Sequence, residues 1–203
     1  MKISTTSKQL AFAFLLFGST TFMACNSSTD TETNATNDST SVTPTDSMQQ
    51  NSSAMQHAQA TLSGTSADTT VEGTASFDQM DGKVKMVLNI TIPKKANKSV
   101  AVHLHEHGAC GDMGNEAHGH WNPTNKQHGK WGSASFHSGD IGNVELDAQG
   151  KGSLTLETDL WSIGGDSTTN ILNRAVIVHG GVDDYTSQPS GNAGSRIGCG
   201  VIQ

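Results

Sequence analysis

Short stretches in which apolar and polar residues alternate recur along the chain from about residue 58 onward. Such alternation is typical of β-strands that bury one face. Eight stretches have this pattern: 58–62, 71–77, 83–92, 100–105, 142–146, 152–157, 175–179 and 196–202. Turn signals such as Asp81-Gly82 separate them, and no helical periodicity exceeds one or two turns. The sequence therefore predicts an all-β fold, an eight-stranded antiparallel sandwich or flattened barrel.

The first 57 residues have a different composition and predict two further segments. Lys2 and Lys8 precede a short apolar run over 10–17, which is typical of a cleaved signal peptide over 1–24. Residues 25–57 are rich in Ser, Thr, Asn, Asp and Gln, so we expect a disordered tether. Ala24-Cys25 resembles a bacterial lipoprotein processing site, which would make Cys25 a lipid-bearing terminus; the alternative is ordinary secretion with cleavage nearby. The remaining residues, 58–203, have the size of one domain.

Six histidines and one aspartate are spaced as ligands of two adjacent transition metals. They are His103, His105, His120, His128, His137, Asp140 and His179. His103 and His105 alternate along a predicted strand, so both rings point to one face, about 6.5 to 7 Å apart. A His-x-His pair alone would be weak evidence, because two solvated histidines on an edge strand have the same spacing.

The other ligand candidates extend this prediction to two different sites. His120, His128, His137 and Asp140 would form a closed N3O shell, which suits a structural zinc ion. His103, His105 and His179 with one shared histidine would form an all-imidazole site, which suits copper. His120 to Asp140 fall in a segment, 108–142, without regular periodicity, and such long loops are uncommon unless they are functional or disordered.

These motifs together resemble the copper/zinc superoxide dismutases over residues 58–203. His103-Leu-His105-Glu106 is similar to the copper-binding strand of that family, and His120-Trp-Asn-Pro123 to its bridging histidine. The segment from His128 to His137-Ser-Gly-Asp140 resembles the zinc loop, and Val178-His179 the last copper ligand. The C-terminal string GNAGSRIGCGVI over 191–202 resembles the family signature.

The resemblance implies a Greek-key fold with long metal-binding loops and a role for each matching residue. Copper would be bound by His103, His105, His120 and His179, and zinc by His120, His128, His137 and Asp140. Arg196 would be an anion-binding guanidinium at the copper mouth, acting in catalysis with His120. Asp183 would hydrogen-bond one histidine of each site from outside, and Cys110 and Cys199 would form a disulfide. His107 and His118 fall outside this pattern, and we interpret them as solvated loop histidines. The alternative for His118 is that it competes with the other histidines for a metal.

The implied activity is dismutation of superoxide to O2 and hydrogen peroxide by alternating reduction and oxidation of copper. The net charge of −7 would repel this anion, so its attraction must be local. Two other functions stay open: a copper and zinc storage or delivery protein without turnover, and a silent adhesive β-sandwich. The signal peptide and the disulfide predict an extracytoplasmic localisation, in the periplasm or at the cell surface. We expect no nucleic-acid partner and membrane contact only through the lipid, while the choice between monomer and homodimer stays open.

Overall fold

The computed structural model describes residues 55–203 and contains the eight predicted strands. They are β1 (Gln56–Gly64), β2 (Glu72–Met80), β3 (Lys83–Thr91), β4 (Ser99–His105), β5 (Gly142–Glu145), β6 (Lys151–Thr158), β7 (Ala175–His179) and β8 (Arg196–Val201). Two 3₁₀ segments, Pro93–Lys95 and Asp112–Ala117, lie in the connections. β1 begins two residues before the predicted start of the domain at residue 58, and His57 lies in this strand with Nδ1 2.7 Å from Asp78 Oδ1. The predicted signal peptide, Cys25 and the tether up to residue 54 lie outside the described residues.

All strand pairs are antiparallel and form one sheet in the order β5-β4-β7-β8-β1-β2-β3-β6. The seam between β8 and β1 is short, because only Ser63 and Gly64 pair there with Cys199 and Gly198. The two end strands, β5 and β6, follow each other in sequence and are joined by a turn in which Asp147 N donates to Lys151 O at 2.8 Å. The sheet thus curls into a nearly closed barrel, as the sequence predicted.

Side chains alternate between the core and the surface along the strands, so every second residue of a strand contributes to the core. In β3, Val84, Met86, Leu88 and Ile90 are buried while the residues between them are exposed or half-buried. The β2–β3 hairpin turns at Asp81 and Gly82, which have φ angles of 51° and 76°. Positive φ at both central positions matches the right-handed twist of the strands, so this turn fixes the register of the hairpin.

β4, like β7, is buried on both faces. Val100, Val102 and Leu104 pack in the core, while His103 and His105 on the other face lie beside the long connection between β4 and β5. A disulfide between Cys110 and Cys199, with Cα atoms 5.8 Å apart, ties that connection to β8 and confirms the predicted pairing. No helix within residues 55–203 is long and apolar enough to cross a membrane.

Candidate metal centre

The β4–β5 connection runs back along β4 and places His120 beside the strand histidines. Trp121 N donates to Leu104 O at 2.8 Å, Leu104 N donates to Gly139 O at 2.9 Å, and an isolated bridge pairs His105 with His120. The ring of His120 consequently lies with its centroid 4.0 Å from that of His103 and 5.0 Å from that of His105. Backbone pairing, rather than side-chain contact alone, therefore positions this histidine.

The first cluster contains four buried histidines from three segments: His103, His105, His120 and His179. One ligand atom from each lies within 4.8 Å of the others. His179 ends β7, the strand that pairs with β4, and a register irregularity lies at Val178/His179. The four imidazoles predicted for copper are thus brought together.

Hydrogen bonds on the outer side of two rings determine which nitrogen faces inward. His105 Nδ1 lies 2.8 Å from His118 O, and His179 Nδ1 lies 3.2 Å from Gly194 O. A carbonyl oxygen only accepts, so both Nδ1 atoms carry the proton and both Nε2 atoms have a free lone pair. These two Nε2 atoms face each other at 3.4 Å. Neither can donate to the other, and a cation between them would satisfy both.

Asp183 fixes one ring of each cluster in the same way. Its buried carboxylate accepts from His103 Nε2 through Oδ2 and from His128 Nε2 through Oδ1, each at 2.9 Å. In the neutral form of each ring, the Nδ1 atom is then the one with the free lone pair. Asp183 thus contacts one ring of each cluster.

The second cluster surrounds the carboxylate of Asp140. The Nδ1 atoms of His120, His128 and His137 lie 2.8, 3.0 and 3.1 Å from an Asp140 oxygen. A tetrahedral zinc ion with bonds of 2.0 to 2.1 Å separates its ligand atoms by about 3.3 Å. His137 Nε2 donates to Lys126 O at 3.0 Å, which again leaves Nδ1 as the inward atom. The four residues predicted for zinc therefore meet with ligand spacing.

Four buried nitrogens of these rings have no hydrogen-bond partner in the described part of the chain. They are His103 Nδ1, His120 Nε2, His128 Nδ1 and His137 Nδ1. Buried polar atoms are rarely left without a partner, and an exception calls for an explanation such as a bound ion. His120 is the residue common to both clusters, with Nδ1 toward Asp140 and Nε2 free. The donor set fits an all-imidazole copper site and an N3O zinc site that share one ring.

Burial and mutual repulsion keep the rings of the first cluster neutral. Burial lowers the pKa of His105 to about 2, of His179 to about 3 and of His120 to about 4, and neighbouring histidines add to the effect at each. Burial alone would raise the pKa of Asp140, but the hydrogen bond from His120, the adjacent rings of His128 and His137, and the backbone N–H of His137 hold it well below its usual range. Neutral imidazoles and an ionised carboxylate are the forms that bind metal.

The second cluster also depends on residues that the sequence analysis did not single out. Gln188 Oε1 accepts from His128 N, and its Nε2 donates to His128 O, each at 2.9 Å. Gly191 has φ +66°, and a Cβ there would lie 1.9 Å from Asp183 Oδ1, so only glycine leaves room for that carboxylate. Trp161 Nε1 donates to Ser138 O at 2.8 Å beneath the zinc loop. These contacts join distant segments, and no local pattern reveals them.

A cavity of about 640 Å³ opens onto both clusters. Its lining includes His105, His120 and His179, together with Arg196 and Lys126. The Arg196 guanidinium donates to Gly114 O at 2.6 Å and to His118 O, so its position at the cavity is fixed by two carbonyls. Burial lowers the pKa of Arg196 below its ordinary value. Its positive charge borders the space in front of the first cluster.

Comparisons with known proteins agree with this geometry. The family model for copper/zinc superoxide dismutase (SODC) matches residues 71–202. Superoxide dismutase [Cu-Zn] of Schizosaccharomyces pombe is 36% identical over 143 residues, covering 66% of this chain and 91% of the relative. The extracellular superoxide dismutase [Cu-Zn] of Caenorhabditis elegans is 35% identical over 136 residues, covering 64% and 60%. The crystal structure of a protein described as the clock protein EA4 superposes with a TM-score of 0.62 and 35% identity, covering 72% of this chain and 92% of that one.

The family match spans about two thirds of the chain and includes both histidine clusters and the disulfide. The fold, the donor sets and the relatives point to one conclusion. The chain belongs to the copper/zinc superoxide dismutase family, whose chemistry is the dismutation of superoxide with copper and zinc as cofactors.

Proposed function

We propose that this chain dismutates superoxide with copper bound by His103, His105, His120 and His179. Zinc is bound by His120, His128, His137 and Asp140, so that the ring of His120 belongs to both sites. Two superoxide ions and two protons give one O2 and one hydrogen peroxide. The observation that carries the proposal is the convergence of free nitrogen lone pairs at two buried points that share one ring.

When bound, copper supplies the one-electron chemistry by alternating between Cu(II) and Cu(I), while zinc has no redox chemistry. The protein contributes the positions and proton states of its ligands. The carbonyls of His118 and Gly194 and the carboxylate of Asp183 hold each ring by its outer N–H. Such outer hydrogen bonds orient the rings and increase their basicity.

His120 is the residue at which this chain can take up a proton within the site. Its Nδ1 is directed to Asp140 at 2.8 Å, while its Nε2 is buried without a partner among residues 55–203. A ring bound through both nitrogens has lost its proton, and release of Nε2 would let that atom be protonated. This would couple proton uptake to electron transfer at the same ring.

Arg196 is the residue that we assign to anion binding. Arg196 and Lys126 line the cavity that also contains His105 and His179, with Glu106 as an opposing carboxylate. The segment 180–190 contributes no lysine, so these two cations have to offset a chain of net charge −7. Local fields of this kind raise association rates by about 10 to 10³-fold and weaken as salt is added.

Superoxide consumption by the protein loaded with one copper and one zinc tests this function. The parent should be active, and Arg196→Ala should lower the second-order rate about tenfold at low ionic strength, with a smaller difference at high salt. Lys83→Ala is the matched control, because it removes one positive charge from an exposed position paired with Glu157. An inactive parent that holds both metals would contradict dismutation and favour storage or delivery.

We also propose that the signal peptide over residues 1–24 directs the protein out of the cytoplasm and is then removed. A lipid on Cys25 holds the domain, from about residue 56, at the membrane. The disulfide supports an oxidising compartment, and one relative is named an extracellular enzyme. Cys25→Ser should move the protein from the membrane to the soluble fraction, and unchanged membrane association would contradict the anchor. Sedimentation equilibrium of the soluble variant then distinguishes a monomer from a homodimer.

A further inference from the structure

Three exposed side chains outside the two buried clusters form another group of potential ligands. Glu106, His107 and His118 each offer one ligand atom, and these atoms lie within 4.8 Å of one another. Two imidazoles and a carboxylate form an N2O donor set that leaves coordination positions open. None of the three belongs to either buried cluster.

The backbone holds these side chains together. Beyond the end of β4, Glu106 N donates to Gly119 O at 3.0 Å and His107 N donates to Ala117 O at 3.2 Å. The two backbones run antiparallel here, which places the rings of His107 and His118 with their centroids 4.3 Å apart. The proximity of the two rings is thus set by main-chain pairing between two segments.

His118 has an unusual backbone conformation, with φ 62° and ψ −144°. Residues other than glycine adopt positive φ uncommonly, and such strain is concentrated at functional sites. The carbonyl of His118 accepts from His105 Nδ1 and from Arg196 Nη2. One residue therefore combines an exposed imidazole with a carbonyl that orients a ligand of the first cluster.

The negative charge of the group is that of Glu106, and the guanidinium of Arg196 is bonded to the main chain of His118. The carboxylate of Glu106 forms no ion pair with any side chain that the structure describes. Another cation beside the group is Arg174, whose guanidinium donates to the main-chain oxygen of Glu106 at 2.7 Å and stacks 4.9 Å from the centre of Trp121. Arg174 is thus engaged by a carbonyl and an aromatic face, which leaves the carboxylate free to bind an ion.

We propose that Glu106, His107 and His118 form a third metal site, for a divalent transition-metal ion, at the rim of the copper cavity. Imidazole ligands select Zn2+, Cu2+ or Ni2+ over Mg2+ and Ca2+, which prefer oxygen. Glu106 and His118 also line the cavity that contains His105 and Arg196. A metal ion bound there would lie at the rim of this cavity, which leads to the first cluster.

Equilibrium dialysis with elemental analysis tests the site. Protein already loaded with one copper and one zinc is dialysed against Zn2+ at micromolar free concentration, and a third equivalent of metal should be retained. His107→Asn/His118→Asn should retain only two equivalents; asparagine suits position 118 because it tolerates positive φ. His57→Asn is the matched control, an exposed histidine beside the carboxylate of Asp78, and it should retain three.

The resident copper and zinc serve as the internal check on folding, since their loss would show that the variant had disturbed the buried clusters. Should the double variant lose them, His107→Asn alone replaces it, because the backbone carbonyl of His107 accepts no bond from the copper ligands. A parent that binds only two metals would refute the third site. So would a third equivalent that persists in the rim variants or disappears equally in His57→Asn.

Discussion

Asp183→Asn should weaken copper binding far more than zinc binding, although Asp183 contacts one ring of each site. The carboxylate has no exposed surface and accepts three hydrogen bonds. Its Oδ1 accepts from His128 Nε2 and from Tyr185 N, while Oδ2 accepts only from His103 Nε2. Asparagine keeps one acceptor oxygen and replaces the other with an NH2 donor.

The count of donors decides the orientation of that amide. If the amide oxygen takes the Oδ1 position, the NH2 group faces one other donor, His103 Nε2. If the oxygen takes the Oδ2 position, the NH2 group faces two donors, His128 Nε2 and Tyr185 N. The amide should therefore place its NH2 toward His103. The ring of His103 can accept from that NH2 only if its own proton moves to Nδ1, the atom that would bind copper. Loss of an outer partner typically lowers metal affinity about 10 to 100-fold, or about 1.4 to 2.8 kcal/mol.

Competition titrations with a chelator of known affinity measure this effect for each metal separately. We expect the copper affinity of Asp183→Asn to fall by that factor and its zinc affinity to change much less. Asp184→Asn is the matched control, because Asp184 is exposed and its carboxylate bonds only Thr186 and Ser187 of its own turn. A larger loss of zinc than of copper, or equal losses of both, would refute the assignment of donors at Asp183.

Three further predictions concern the fold and the ligands. Replacing Cys110 and Cys199 with alanine opens a loop with a sequence separation of 89. This should destabilise the metal-free protein by about 4.6 kcal/mol and lower its Tm by roughly 10 to 18 °C. Urea and thermal unfolding measure the free energy of unfolding, and a loss below about 1 kcal/mol would count against the prediction. His137→Ala should lose zinc and keep part of its copper, and elemental analysis showing both metals fully retained would remove His137 from the zinc ligands. The metal-free protein should lose stability as pH falls from about 6.5 to 4. Burial lowers the pKa of His105, His179 and His120, so over this range the unfolded chain takes up protons at these rings that the folded chain does not. Urea midpoints independent of pH over that range would contradict this.

Most strands could be predicted from the sequence because they bury one face and end in a turn of recognisable chemistry, whereas β4 and β7 are buried on both faces. The hairpin at Asp81-Gly82 is an example, since positive φ at both residues favours Asp and Gly. The ends were less certain: β1 extends back to Gln56, where polar residues of the strand face solvent and resemble the tether. The neighbours in the sheet, such as β8 beside β1, depend on contacts distant in sequence that alternation does not encode.

The candidate ligands could be recognised from their spacing and residue type, but the nitrogen that each ring presents could not. That choice depends on acceptors supplied by other segments, such as Gly194 O for His179 and Lys126 O for His137. The same limit applies to the rim site. His107 and His118 were interpreted as solvated loop residues, and only the main-chain pairing beyond β4 shows that their rings meet.

The most direct test of the account is electron paramagnetic resonance of protein loaded with Cu2+ in both sites. Two ions held by the two nitrogens of the His120 ring should be magnetically coupled, because the ring connects them. We predict that the spectrum of an isolated Cu2+ ion is lost at full loading and replaced by that of a coupled pair. Two independent Cu2+ spectra at full intensity, from protein shown to hold both ions, would contradict the shared ring and the account that rests on it.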